Sequence, residues 1–122
     1  NRIKNIKLPV SAPFHCSLMS KATDVMREEL GKLSFKKGKN SLVSNITANE
    51  IFNANELKDL LIKQIENRVR WRESVINMIE KGVNQFIEIG PGKVLSGLVK
   101  RINKDVEVIS INNEDDIKSI KI

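Results

Sequence analysis

Residues 85–111 read QFIEIGPGKVLSGLVKRINKDVEVISI, and they contain the clearest secondary-structure signals in the chain. Gln85–Ile89 and Val106–Ile111 are predicted to be strands. Gly90-Pro91-Gly92 predicts a tight turn between them, with the proline in the first turn of a helix, where it is tolerated. The helix itself is indicated by apolar residues at helical spacing, namely Val94, Leu95, Leu98, Val99 and Ile102. Strand, helix and strand at these lengths predict a right-handed parallel β-α-β crossover unit at residues 85–111.

The residues before this unit alternate between predicted strands and helices. Residues 3–10 place apolar side chains among lysines and predict a strand, which Pro9 and Pro13 terminate. Apolar residues at helical spacing predict helices over 17–33, 55–65 and 71–81, the last ending at Gly82. A polar segment at 34–53 is predicted to hold a short strand at 41–45, and 112–122 is predicted to form a short helix or to fray. The fold class is therefore α/β.

Length and composition bound the class of protein. The 122 residues, 40% of them hydrophobic, are enough for one compact domain or a piece of one. No apolar run is long enough to cross a membrane, and no signal peptide opens the chain. A single cysteine excludes an intramolecular disulfide and fits a reducing cytoplasm. The chain begins at Asn1 rather than at methionine, which suggests an internal start, by cleavage or by design.

The charge is basic but dispersed. A net charge of +6 suits acidic partners, namely nucleic acid, an anionic membrane or an acidic protein. Only residues 35–39 form a small basic cluster, there is no tyrosine, and the phenylalanines do not interleave with the lysines as a base-stacking surface requires. The sequence therefore argues against nucleic-acid binding.

Three separated segments carry a family resemblance: VSAPFHCSLM at 10–19, QIENRVRW at 64–71 and EIGPGKVLSGL at 88–98. In this order and at these separations, they resemble the C-terminal portion of the malonyl-CoA:acyl-carrier-protein transacylase family of acyltransferases. The resemblance extends over residues 4–111. Arg68 departs from it, since the family usually has proline there.

The resemblance implies a fold and an activity. The chain would be the C-terminal part of the acyltransferase domain, with 1–13 a strand and linker from the small ferredoxin-like subdomain. Residues 14–122 would belong to the α/β-hydrolase-like large subdomain. Such enzymes serve fatty acid biosynthesis by moving malonyl from malonyl-CoA to the phosphopantetheine thiol of acyl carrier protein. They do so through a malonyl-serine ester, without a metal or redox cofactor.

The resemblance also implies roles for particular residues. His15, the only histidine, lies at a predicted strand-to-helix junction and would be the general base. Gln64 would offer its backbone carbonyl to orient the His15 ring, and Phe14 would lie against the acyl group. Lys100 and Arg101 lie opposite the apolar stripe of their predicted helix and are candidates for docking the acidic carrier protein.

Several parts of the family's active site do not occur in these 122 residues. They are the Gly-His-Ser-Leu-Gly elbow that carries the nucleophile, the arginine that pairs with the malonyl carboxylate, and the N-terminal glutamine of the oxyanion hole. The chain is therefore predicted to be half of an active site, inactive without the N-terminal part of the enzyme. A noncatalytic α/β fragment that binds acyl carrier protein is the alternative.

Other residues give weaker signals. Cys16 adjoins His15, but neighbouring side chains at a helix start diverge, and Ser11 and Ser17 lack an elbow motif. Gly90–Lys93 fits neither phosphate-binding fingerprint, and one histidine with one cysteine gives no metal-site spacing.

Overall fold

The computed structural model describes residues 12–36 and 38–120. The chain divides into two compact units, the first ending at Val69 and the second beginning at Arg70. The strand predicted at 3–10, and with it most of the predicted segment 1–13, lies outside the described residues, as does Ser11. The mixed helix and strand composition predicted from the sequence is confirmed.

In its described residues, the first unit contains two helices and a short hairpin. A 3-10 turn at Ser17–Met19 leads into α1 (Ser20–Gly31), where the sequence predicts one continuous helix. Strands β1 (Leu42–Val43) and β2 (Glu50–Ile51) pair antiparallel, and the second of them was not predicted. Helix α2 (Ala54–Lys63) packs against α1.

A side chain caps the start of α2, and its other end lies at Gln64. The Asn53 side-chain oxygen accepts hydrogen bonds from the N–H groups of Asn55 and Glu56, which satisfies two donors that the first turn leaves free. At the other end Gln64 is the C-cap, and its N–H donates to the Leu60 carbonyl at 3.0 Å. The Gln64 carbonyl lies beyond the intrahelical ladder and can accept a bond from elsewhere.

The second unit is built on a parallel strand pair. It comprises α3 (Trp71–Glu80), β3 (Gln85–Ile89), α4 (Val94–Ile102), β4 (Glu107–Ile111) and α5 (Glu114–Ser119). Strands β3 and β4 pair in parallel from Gln85 opposite Glu107 to Ile89 opposite Ile111, with α4 between them in the chain. The core is Val75, Val99 and Val106, surrounded by half-buried apolar side chains that include Trp71 and Phe86.

The connection from β3 to α4 differs in one detail from the prediction. Gly90 and Gly92 have φ values of +137° and +97°, so both need the freedom of glycine. Because α4 begins only at Val94, Pro91 lies in the turn before the helix rather than in its first turn. The start of α4 is instead capped from the strand: the Glu88 carboxylate accepts from the N–H of Leu95 at 3.0 Å and of Ser96 at 2.8 Å.

This capping lowers the pKa of Glu88 below its ordinary value of 4.5. The largest cause is the hydrogen bond from the Ser96 hydroxyl, followed by that from the Ser96 N–H; partial burial opposes them and the Leu95 N–H adds to them. A carboxyl whose pKa is lowered on folding stabilises the protein at pH values above its unfolded pKa. That stabilisation disappears as the pH falls through the folded pKa.

We expect Glu88→Gln to lower Tm by a few degrees at neutral pH, because the amide turns a donor toward one of the two N–H groups. The difference from the unsubstituted chain narrows as the pH falls below the ordinary glutamate pKa and through the lowered pKa of folded Glu88, where that carboxylate becomes protonated. Thermal unfolding followed across this pH range measures both. The matched control is Glu80→Gln at the exposed end of α3. An equal loss in both variants, or a gap that is independent of pH, contradicts the capping role.

Candidate active site

His15 has an unusual backbone conformation. Its φ is +60°, in the left-handed region that few residues other than glycine occupy. The conformation turns the chain between the Phe14 N–H, which donates to the Ala12 carbonyl at 3.0 Å, and the 3-10 turn that begins at Ser17. Backbone in such sparsely populated regions is enriched at active sites and ligand-binding positions.

The His15 ring is held by the C-terminal end of α2. Nδ1 lies 2.9 Å from the backbone carbonyl oxygen of Gln64, 49 positions away in sequence. A carbonyl oxygen only accepts, so Nδ1 is the donor, and in the neutral ring Nε2 is the nitrogen with a free lone pair. This arrangement presents a proton acceptor at Nε2 of an exposed imidazole.

The side chain of Gln64 has a partner of its own. The Asn45 amide Nδ2 donates to Gln64 Oε1 at 3.1 Å, and the contact is partly buried. The sequence did not point to Asn45, because it lies in the polar, aperiodic segment 34–53. The Ser-Asn-Ile-Thr string at 44–47, with its turn-forming residue types, is the one signal that could have drawn attention to it.

Three of the predicted site residues line one open cavity of about 490 Å³ in the first unit. Its lining comprises Phe14, His15, Met19, Ala22, Met26, Asn45, Gln64 and Ile65. Phe14 is 59% exposed, so its ring is available to a bound molecule rather than committed to the core. Imidazole, amide and apolar walls together suit a small substrate with both a reactive polar centre and an apolar part.

The Cys16 thiol is engaged locally. Its Sγ donates to the Pro13 carbonyl at 3.1 Å, while the contact of the His15 ring is with Gln64. The structure therefore describes no Cys–His pair between these neighbours.

The two basic residues predicted to dock a partner differ in their surroundings. Lys100 Nζ donates to the carbonyl oxygens of Val106 at 2.6 Å and Lys104 at 3.1 Å, so its ammonium ties the end of α4 to the following loop. Arg101 is exposed in the same last turn. Binding of a partner through Lys100 would compete with these two internal hydrogen bonds; docking through Lys100 and Arg101 stays a prediction.

Two general features complete the description. Within residues 12–36 and 38–120, no group of three or more His, Cys, Asp or Glu side chains is placed to hold a metal ion. None of the helices in the described part of the chain has the length and apolar character to cross a membrane.

The chain is similar in sequence and structure to malonyl CoA-acyl carrier protein transacylases. It is 40% identical over 113 residues to the malonyl CoA-acyl carrier protein transacylase of Bacillus subtilis (strain 168), an alignment covering 93% of this chain and 36% of that protein. The solved transacylase of Clostridium perfringens matches with a TM-score of 0.85 and 42% identity, over 93% of this chain and 36% of that one. No protein-family profile matches the chain.

A further solved structure is a type II PKS acyl-carrier protein in complex with its malonyl-transacylase. It matches with a TM-score of 0.84 and 36% identity, over 92% of this chain and 36% of the other. The resemblance stated from the three sequence segments is thus confirmed. The chain spans about a third of the length of the relatives it matches.

Proposed function

We propose that this chain supplies the general-base half of the active site of a malonyl-CoA:acyl-carrier-protein transacylase of fatty acid biosynthesis. The observation that carries the proposal is the hydrogen bond from His15 Nδ1 to the Gln64 carbonyl at the edge of an open cavity. It leaves Nε2 as the acceptor that a general base needs. Similarity to transacylases over more than nine-tenths of the chain supports the same reaction.

In the proposed first half-reaction, Nε2 of His15 takes the proton of a serine hydroxyl as that oxygen attacks the thioester carbonyl of malonyl-CoA. The bond from carbon to sulfur then breaks, a malonyl-serine ester remains, and His15 returns the proton to the departing coenzyme A sulfur. The serine comes from outside these 122 residues, as the resemblance implies. The Gln64 carbonyl accepts from Nδ1–H both in the neutral ring and in the imidazolium that forms when Nε2 takes the proton.

In the second half-reaction the phosphopantetheine thiol of acyl carrier protein gives its proton to Nε2 and attacks the ester. His15 then protonates the serine oxygen as it leaves. Protons and acyl group balance in both halves, so the proposal includes no metal or redox cofactor. We propose the cytoplasm as the compartment, in keeping with the single cysteine.

The experiment that tests the proposal is a hybrid enzyme, in which this chain replaces the matching third of the Bacillus subtilis transacylase. The rest of that protein then supplies whatever the active site needs from outside these residues. We expect the hybrid enzyme to transfer malonyl from malonyl-CoA to acyl carrier protein. A folded hybrid that binds acyl carrier protein without transferring malonyl favours the alternative, a noncatalytic carrier-protein-binding fragment.

Phe14 is proposed to restrict the acyl group. Relieving one methyl group of crowding is worth about tenfold in relative rate. We therefore expect Phe14→Ser in the hybrid enzyme to raise the use of methylmalonyl-CoA relative to malonyl-CoA by about tenfold, measured by competition between the two thioesters. Phe52→Ser is the matched control, since Phe52 is similarly exposed and does not line this cavity. An unchanged ratio for Phe14→Ser removes Phe14 from the acyl site.

Arg101 is proposed to assist docking of the acidic carrier protein. Exposed charges of this kind mainly speed encounter and are screened by salt. We expect Arg101→Glu to raise the KM for acyl carrier protein several-fold at low salt and to leave serine loading from malonyl-CoA unchanged. Arg72→Glu, the same charge change at an exposed position of α3, is the control. Equal effects on both half-reactions contradict a docking role.

A further inference from the structure

Gln64 accepts two hydrogen bonds, one at its backbone carbonyl and one at its side-chain amide. Its backbone carbonyl accepts from His15 Nδ1 at 2.9 Å, and its side-chain Oε1 accepts from Asn45 Nδ2 at 3.1 Å. We propose that Asn45 is a positioning residue: by anchoring the Gln64 side chain, it fixes the carbonyl that selects the tautomer of His15. This inference rests on the proposed function only where it concerns rate.

The backbone hydrogen bonds at the C-terminal end of α2 become longer after Gln64. The Gln64 N–H makes a helical bond of 3.0 Å to Leu60, but the next two N–H groups, of Ile65 and Glu66, reach only 3.3 Å to their acceptors. These bonds are longer than the common range for N–H···O bonds, so the last turn restrains the peptide group between Gln64 and Ile65 less firmly than a turn in the helix interior would. A side-chain bond at Gln64 restrains the same residue whose carbonyl His15 uses.

The loop that carries Asn45 is well suited to hold it. Ser44 is 5% exposed, and its N–H donates to the Asn49 carbonyl at 3.0 Å, which closes the loop between β1 and β2. The Ser44 hydroxyl oxygen accepts from the Ile46 N–H at 3.1 Å, and the Ser44 carbonyl accepts from the Ala48 N–H at 2.9 Å. Ala48 itself is buried with φ +58°. Asn45 therefore projects from a loop that its own hydrogen bonds keep in one conformation.

The chemistry of the pair also fits a positioning role. An amide bonded to an amide carries no net charge, so it restrains Gln64 without placing an anion beside the imidazole. In other serine enzymes a carboxylate orients the histidine directly. Here the orienting atom is a neutral carbonyl, and the restraint on that carbonyl is a second neutral hydrogen bond.

The chain offers a direct measurement, because His15 is its only histidine. Imidazole ¹⁵N resonances of the labelled chain report the tautomer without an assignment problem, at a pH where the ring is neutral. We expect the unsubstituted chain to show Nδ1–H, and Asn45→Ala to shift the ring toward a mixture with Nε2–H. Gln64→Ala, which keeps the backbone carbonyl, is expected to give the same shift, and the double variant no more than either.

Asn49→Ala is the matched control, since Asn49 lies in the same loop and its side-chain Nδ2 donates to the Thr47 carbonyl. Circular dichroism checks that each variant is folded. If Asn45→Ala does not fold, the tautomer is measured in Gln64→Ala instead. Retention of Nδ1–H in folded Asn45→Ala, or in Gln64→Ala as its substitute, overturns the proposal. So does an equal shift in Asn49→Ala, because it would trace the effect to the loop as a whole.

A kinetic arm separates this inference from the proposed function. In the hybrid enzyme we expect Asn45→Ala to lower kcat about three- to tenfold, the worth of one hydrogen bond, with KM for malonyl-CoA nearly unchanged. Suppose that Asn45→Ala shifts the tautomer in the chain but leaves kcat of the hybrid enzyme unchanged. That result would keep the proposal that Asn45 positions Gln64 and reject its effect on the reaction rate. If His15→Ala also leaves transfer intact, the proposed function fails while the tautomer result stands.

Discussion

Replacing His15 with alanine is expected to lower malonyl transfer by the hybrid enzyme at least about a hundredfold, the usual loss when a general base is removed. Without the imidazole, the serine hydroxyl has no acceptor for its proton and the departing sulfur has no donor. Both half-reactions use the same nitrogen, so both are expected to slow. Stopped assays of serine loading and of transfer to acyl carrier protein measure the two rates separately.

The informative comparison is Gln64→Ala, since this change keeps the carbonyl oxygen that accepts from Nδ1 at 2.9 Å. The loss is expected to be no more than about tenfold, because one supporting side-chain hydrogen bond disappears and the proton acceptor remains. If Gln64→Ala and His15→Ala were equally damaging, the role assigned to the Gln64 backbone would be wrong. Gln64→Pro is unsuitable here, since proline removes the N–H that bonds to Leu60.

The second unit was predictable from the sequence almost to the residue. The bounds of β3 match the predicted strand at Gln85–Ile89, and β4 begins one residue later than predicted. Local signals determine these elements: two apolar strand segments, two glycines with positive φ between them, and an apolar stripe at helical spacing. The β1–β2 hairpin was half missed, because strands of two residues are too short to show a period.

The contacts of the candidate site were harder to predict from the sequence than the second unit. The contact of His15 with Gln64 joins residues 49 positions apart, and no periodicity connects them; the family resemblance alone suggested it. The left-handed backbone of His15 and the amide bond from Asn45 depend on loop geometry, which residue type only weakly encodes. For Lys100, the helical spacing predicted a position on the solvent side of α4. Its long side chain nevertheless turns back and donates to two backbone carbonyls, a contact that spacing does not reveal.

The chain alone is expected to stay unacylated when incubated with malonyl-CoA, whereas the hybrid enzyme gains one malonyl group. Covalent catalysis needs a nucleophile within hydrogen-bond reach of the base. In the described residues His15 bonds to the Gln64 carbonyl, the Cys16 thiol donates to Pro13, and the Ser44 hydroxyl is buried in its loop. None of these groups is a hydroxyl presented to Nε2.

Intact-mass measurement after incubation distinguishes the outcomes. A hybrid enzyme that gains one malonyl group, and whose His15→Ala variant gains it far more slowly, places the nucleophile outside this chain and the base within it. Stoichiometric malonylation of the chain alone would instead mean that one of its own side chains is the nucleophile. Peptide mapping would then name that side chain, and the division of the active site between this chain and the remaining two-thirds of its relatives' length would be abandoned.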